Sequence, residues 1–210
     1  MFDPTTIPNV WRARSASATS DCRIASGYAE FDEALGGGWP HPALIEILTD
    51  DCGIGELQII VPLLRELIRR PPNPPLVLWL HPPHSPNAVA LTQHGLDATH
   101  WLIDDVSDRD VLWSAEQALR ASACSAVIAW IDTAKTSALR RLKLAASSSN
   151  SIALLYRPIR DADQPSPATV RLLLTCAANR LRLSLLKAQG RKPATVLLDI
   201  DRARTLERAR

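Results

Sequence analysis

Short apolar runs alternate with segments whose apolar residues recur every three to four positions through most of the chain. The runs at 44–48 and 76–80 read as buried strands, that at 101–103 as a short strand, and those at 126–131 and 152–156 as further strands. Between them, residues 58–70, 86–94, 109–122 and 137–146 carry helical periodicity. A short amphipathic helix over 27–35 precedes the first run and is closed by Gly36-Gly37-Gly38, where glycine permits the left-handed turn of a helix end. Strands alternating with helices predict parallel βαβ units covered on both faces. Beyond residue 170 the pattern changes. The segments 170–175, 180–186 and 195–200 are strands with no helix between them, and Gly190 in the last turn predicts an antiparallel hairpin. Residues 1–23, rich in Ser, Thr and Pro, read as an N-terminal arm, 24–200 as one core, and 201–210 as a basic C-terminal tail.

Composition fits one folded domain. The 210 residues are 46% hydrophobic and 22% charged, enough for a core and too few charges for a disordered chain. The four cysteines form no CxxC pair and point to reduced thiols. The first fifteen residues hold no apolar leader, and no run reaches the ~20 residues of a membrane helix, so a cytoplasmic protein is expected. The net charge of +2 conceals a split: residues 1–132 hold 8 Lys/Arg against 17 Asp/Glu, and residues 133–210 hold 16 against 5. Either a basic face meets a polyanion or acidic partner, or the two halves attract one another within the fold.

The chemistry to explain lies after the first strand. A phosphate-binding loop of the form GxxxxGK[ST] sits between a strand and a helix, with backbone N–H groups and a lysine on the phosphates and a hydroxyl on Mg²⁺. Here the corresponding stretch is Thr49-Asp50-Asp51-Cys52-Gly53-Ile54-Gly55-Glu56-Leu57. Glu56 stands at the lysine position and Leu57 at the hydroxyl position. A carboxylate about 5 Å from a phosphate charge costs about 3 kcal/mol at an effective dielectric near 20. Pro62 adds a geometric objection. In the interior of a helix starting at Gly55 it costs about 3 kcal/mol, so the helix is expected to begin later, near Gln58. Either Asp51 or Glu56 is expected to occupy the loop's own anion site, as acidic groups do at helix N-termini.

The order of elements resembles the RecA superfamily over roughly residues 24–200. The segments carrying the likeness are Ile24-Ala25-Ser26-Gly27, Phe31 to Gly38, the strand 44–48, Gly95-Leu96-Asp97 and the strand 127–131. Within that superfamily, Gly36-Gly37-Gly38-Trp39-Pro40, the loop Gly53-Ile54-Gly55-Glu56-Leu57 and Leu186-Lys187-Ala188-Gln189-Gly190-Arg191 resemble the ImuA family, RecA-like accessory proteins of bacterial damage-induced mutagenesis. The resemblance implies a RecA-like P-loop NTPase fold with a mostly parallel sheet. It also implies SOS-linked translesion DNA synthesis beside ImuB, a catalytically dead Y-family polymerase paralog, and an error-prone DnaE-type polymerase. The RecA filament and single-stranded DNA, held weakly, are further candidate partners. With the loop degenerate, neither ATPase activity nor a cofactor is expected. The competing readings are a SulA-like cell-division inhibitor and an active ATPase with an unusual loop.

Other residues carry lesser expectations. The stretch His81-Pro82-Pro83-His84 offers no carboxylate to act as a base, and Asp132 reads as a turn residue rather than a metal-binding aspartate. Trp79, Trp113 and Trp130 lie in periodic segments and read as core. Trp39 and Trp11 lie in loops and read as interaction candidates, Trp11 with Arg12 as an assembly anchor. Arg140, Arg141, Lys143, Arg180, Arg182, Lys187, Arg191 and Lys192 are the candidate DNA-binding or partner-binding residues. On a strand, Arg180 and Arg182 share an outer face while the intervening leucines point to the core.

Overall fold

A computed structural model of the chain describes residues 22–70, 76–97, 99–177 and 180–199. The tail at 201–210, Trp11 and Arg12 lie outside the described residues. The strands are β1 (Cys22–Ile24), β2 (Trp39–His41), β3 (Ala43–Leu48), β4 (Leu76–Leu80), β5 (Thr99–Ile103), β6 (Ala126–Trp130), β7 (Ile152–Arg157), β8 (Val170–Ala177), β9 (Arg180–Ala188) and β10 (Ala194–Leu198). The helices are α1 (Ala29–Leu35), α2 (Val61–Arg69), α3 (Ala88–Gln93), α4 (Asp108–Arg120) and α5 (Thr136–Ser149).

The main sheet has eight strands in the order β10-β9-β8-β3-β7-β6-β4-β5. From β8 to β5 all neighbours are parallel, and β9 and β10 complete it as an antiparallel hairpin. The inner parallel strands β3, β4, β6 and β7 are apolar because both faces are covered, whereas β5 at the sheet edge is exposed at Trp101, Leu102 and Ile103. Phe31 and Leu35 of α1 and Leu63, Leu64 and Leu67 of α2 pack on one face with Ile45, Ile47 and Leu154. Val111, Ala115 and Leu119 of α4 and Leu139 and Leu142 of α5 pack on the other with Leu44, Val127 and Leu155. Among the described residues no helix is long and apolar enough to cross a membrane.

Local chemistry sets the helix ends. Ser107 caps α4 by accepting the Asp110 N–H, and Asp108 and Asp110 fill its first turn. Gly36 ends α1 in the left-handed region at φ 86°. Gly38, at φ 111°, lies so close to β1 that a Cβ there would strike the Ile24 carbonyl. This approach builds the small antiparallel pair β1–β2, which periodicity did not reveal, and brings Cys22 and Arg23 into the fold rather than the arm. Trp39 is therefore no loop residue. It is fully buried in β2, edge-on to Phe31 at 5.1 Å between ring centroids. Trp113 departs in the opposite sense: expected in the core, it stands 62% exposed on α4.

Candidate functional site

The loop after β3 leaves the carboxyl edge of the sheet near its centre, where open α/β sheets place ligands. Thr49 closes the strand, its N–H donating to the Arg157 carbonyl at 2.9 Å. Its hydroxyl accepts the Asp51 N–H at 3.2 Å, a local turn that competes with any wider phosphate cradle. Asp50 accepts the Ile159 N–H at 2.9 Å and ties the loop to the end of β7. Gly53 and Gly55 adopt φ of 74° and 96°. Ile54 packs against the core, and Cys52 is exposed.

Glu56 is buried, and its Oε1 accepts the Gly53 N–H at 3.1 Å. The carboxylate thus lies on a loop N–H donor of the kind a phosphate would use. The Tyr156 hydroxyl donates to the Glu56 carbonyl at 2.9 Å, and burial, then the Glu56 charge, raise the Tyr156 pKa well above 10. Tyr156 is the end of an aromatic stack through Trp130, 4.7 Å between centroids, to Trp79. Residues 57–60 form turns rather than helix, α2 begins only at Val61, and Pro62 falls in its first turn. The first regular helical turn is thus displaced from Gly55, slightly further than expected.

His81 and Asp132, weighed above, face the same loop, together with Asp108 and Arg160, which the sequence reading did not single out. Asp50, Asp51, Glu56, His81, Asp108, Asp132 and Arg160 line one cavity of about 380 Å³. Its walls carry five carboxylates, with Asp50, Asp51, Glu56, Asp108 and Asp132, against the two cations Arg157 and Arg160. Both cations are engaged, Arg160 with Asp132 and Arg157 with Glu46 and Asp161. The lining thus holds three more carboxylates than cations.

The candidate basic residues lie on several elements and bond to different neighbours. Arg141 pairs with Glu116 at 2.8 Å on α4. Arg180 donates to the Leu197 carbonyl and Arg191 to the Glu33 carbonyl. Lys143 and Lys187 do meet, donating to the adjacent carbonyls of Pro167 and Ser166 at 3.0 and 2.8 Å. Burial first, then the charges of Lys143 and Arg171, lower the Lys187 pKa. Arg140, Arg182 and Lys192 are exposed, on α5, on β9 and after the β9–β10 turn.

One constellation escaped the sequence reading. Glu46, fully buried on β3, receives Arg157 on one oxygen and Arg171 on the other, each at 2.8 Å. Arg157 also reaches Asp161 at 2.6 Å, and Gln164 completes that carboxylate. The signal was present in the strand Leu44-Ile45-Glu46-Ile47-Leu48: a carboxylate inside an apolar run requires buried cations.

No protein-family model matches the chain, and no curated protein matches it.

Proposed function

We propose that this protein is a catalytically silent RecA-like scaffold, an ImuA-like adaptor in damage-induced translesion synthesis. The observation that carries the first half is the Glu56 carboxylate seated on the Gly53 N–H, at the position where the resemblance calls for lysine. The late start of α2 and the acid-rich cavity support the same reading. The second half rests on the resemblance around Gly36 to Leu57. Its partners are then a Y-family polymerase paralog of the ImuB kind and an error-prone DnaE-type polymerase in the cytoplasm, with the RecA filament and single-stranded DNA as secondary contacts.

Two measurements test the two halves separately. Purified protein should turn over no ATP above background, with or without single-stranded DNA. Saturable Mg²⁺-dependent hydrolysis that disappears in Asp51→Ala would restore the active-ATPase reading. A pull-down from DNA-damaged cells should recover the two polymerases. Recovery of a cell-division protein instead would establish the SulA-like alternative.

A further inference from the structure

A second cavity, of about 280 Å³, opens on the α2 side of the sheet, between α2, α3 and the ends of β4 and β6. Leu57, Val61 and Leu64, spaced as one helical face, form one wall, and Leu91 of α3 lies on another. The indoles of Trp79 and Trp130 add an aromatic floor, stacked at 6.3 Å between centroids and 16° between planes. The segment from β4 to α3 contributes Pro82, Pro83 and Pro86, whose fixed φ angles stiffen that side. Arg65 of α2 donates twice to the His94 carbonyl, at 3.1 and 2.7 Å, and ties the end of α3 to α2. Among the described residues this cavity shares Glu56, Pro83 and Trp130 with the acid-rich one, and none of its aspartates or arginines.

Charge enters this cavity in one place. Among the described lining residues there is one carboxylate, Glu56, and no lysine or arginine. Its Oε1 accepts the Gly53 N–H, and its other oxygen takes no hydrogen bond among the described residues. The Trp79 N–H is already given to His100, and the Asn87 side-chain oxygen already accepts the Ala90 N–H. Glu56 is therefore the group left to orient a ligand. An apolar cavity of about 150 Å³ takes one benzene ring, so this one suits two fused rings with a short side chain. Indole faces attract a cation as well as a ring. A carboxylate with a free oxygen and no counter-charge favours an ammonium and repels an anion. We propose that this cavity binds a small aromatic amine, its rings against Trp79 and Trp130 and its ammonium on the free oxygen of Glu56.

Calorimetric titration of the whole chain with tryptamine, indole and indole-3-acetate tests this, because the three share one ring system and differ in charge. Tryptamine should bind about tenfold tighter than indole, the worth of one ammonium beside a carboxylate and an aromatic face, and indole-3-acetate weakest of all. Glu56→Gln keeps an oxygen for the Gly53 N–H and should bring tryptamine to within about twofold of indole. Ala90→Phe obstructs the cavity from α3, none of whose residues is fully buried, and should abolish binding of both. Four results overturn the proposal: no binding of tryptamine at millimolar concentration, indole-3-acetate binding as tightly as tryptamine, an undiminished preference for tryptamine in Glu56→Gln, or unchanged binding in folded Ala90→Phe. The charge series in the wild-type chain decides the matter even if Ala90→Phe fails to fold. Neither ATP turnover nor recovery of polymerases enters this test, so its outcome is independent of the adaptor reading.

Discussion

Glu46 and Glu56 lie ten residues apart, both are buried, and the protein treats them oppositely. Glu46 receives two guanidinium groups, and the chain behind them closes a network through Asp161 and Gln164. Among the described residues, the Glu56 carboxylate receives one backbone N–H and no cation. The difference teaches where the positive charge of the sheet's carboxyl edge has gone. Arg157 and Arg160 stand where they could face a nucleotide, yet Glu46, Asp161 and Asp132 already neutralise them. Among the described residues, the cavity around Glu56 therefore has no lysine, and both of its arginines already face a carboxylate. The ionic network takes both arginines, and the loop is left with hydrogen bonds between side chains and backbone.

The comparison breaks most visibly at Glu46. Glu46→Ala should cost about 3–5 kcal/mol in urea unfolding, because Arg157 and Arg171 remain buried and lose their counter-charge. Removing the whole set tests whether charge compensation, rather than shape, sets that figure. Glu46→Leu combined with Arg157→Met, Arg171→Leu and Asp161→Leu should recover most of the loss, since apolar replacement of a buried ionic cluster is often neutral or better. A loss below about 1 kcal/mol for Glu46→Ala would show that the network relaxes to solvent and that the contrast with Glu56 is illusory.

At Glu56 the expected effects are smaller and sharper. Glu56→Ala should cost about 1 kcal/mol, the worth of one charge-assisted hydrogen bond in a half-open loop. The double change Glu56→Lys and Leu57→Ser restores the side chains a phosphate loop uses, yet leaves α2 starting at Val61. ATP binding should remain undetectable by calorimetry in that variant and become measurable only when Pro62→Ala lets the helix begin earlier. Tight binding by the double variant alone would mean that the side chains, and not the displaced helix start, silence the loop.

Much of this architecture was legible in the chain. Parallel strands buried on both faces announce themselves as unbroken apolar runs, and Gly36 and Gly190 marked a helix end and a hairpin turn. The late start of α2 was readable from Pro62 because proline's ring forbids the alternative. What stayed hidden depends on long-range contact. Strands of three residues such as β1 and β2 have no period to detect, so Trp39 passed for a loop residue. Trp113 occupies a helical position whose neighbouring face is solvent, which periodicity alone does not decide. Arg171 was one basic residue among many until the fold set it against Glu46. The partners of Arg141, Arg180 and Arg191, a carboxylate and two backbone carbonyls on other elements, were likewise set only by the fold.

The smallest expected effect concerns a buried group that, unlike Glu46, has no counter-charge. His41 ends β2 with its Nε2 buried and unpartnered. Burial first, and then the positive charge of Arg70, lower its pKa below the ordinary 6.5, against a weaker opposing contribution from the backbone at Asn150. Arg70 is held nearby by donating to the Cys22 sulfur at 3.0 Å, directly across the β1–β2 pair from His41. The sign follows from proton counting. Below about pH 6.5 the unfolded chain gains a proton at this histidine while the folded chain does not, so acid favours unfolding. The stability that neutral His41 supports is fully present above that pH and declines as pH falls below it. Urea midpoints at pH 7.5 and 5.5 should therefore separate more widely in the wild type than in His41→Gln, which keeps a polar side chain but cannot titrate. Both proteins share the same carboxylates, so the difference between their two shifts isolates the histidine. Equal shifts would mean that β2 opens enough for water to solvate the imidazolium, and that burial there carries no charge penalty.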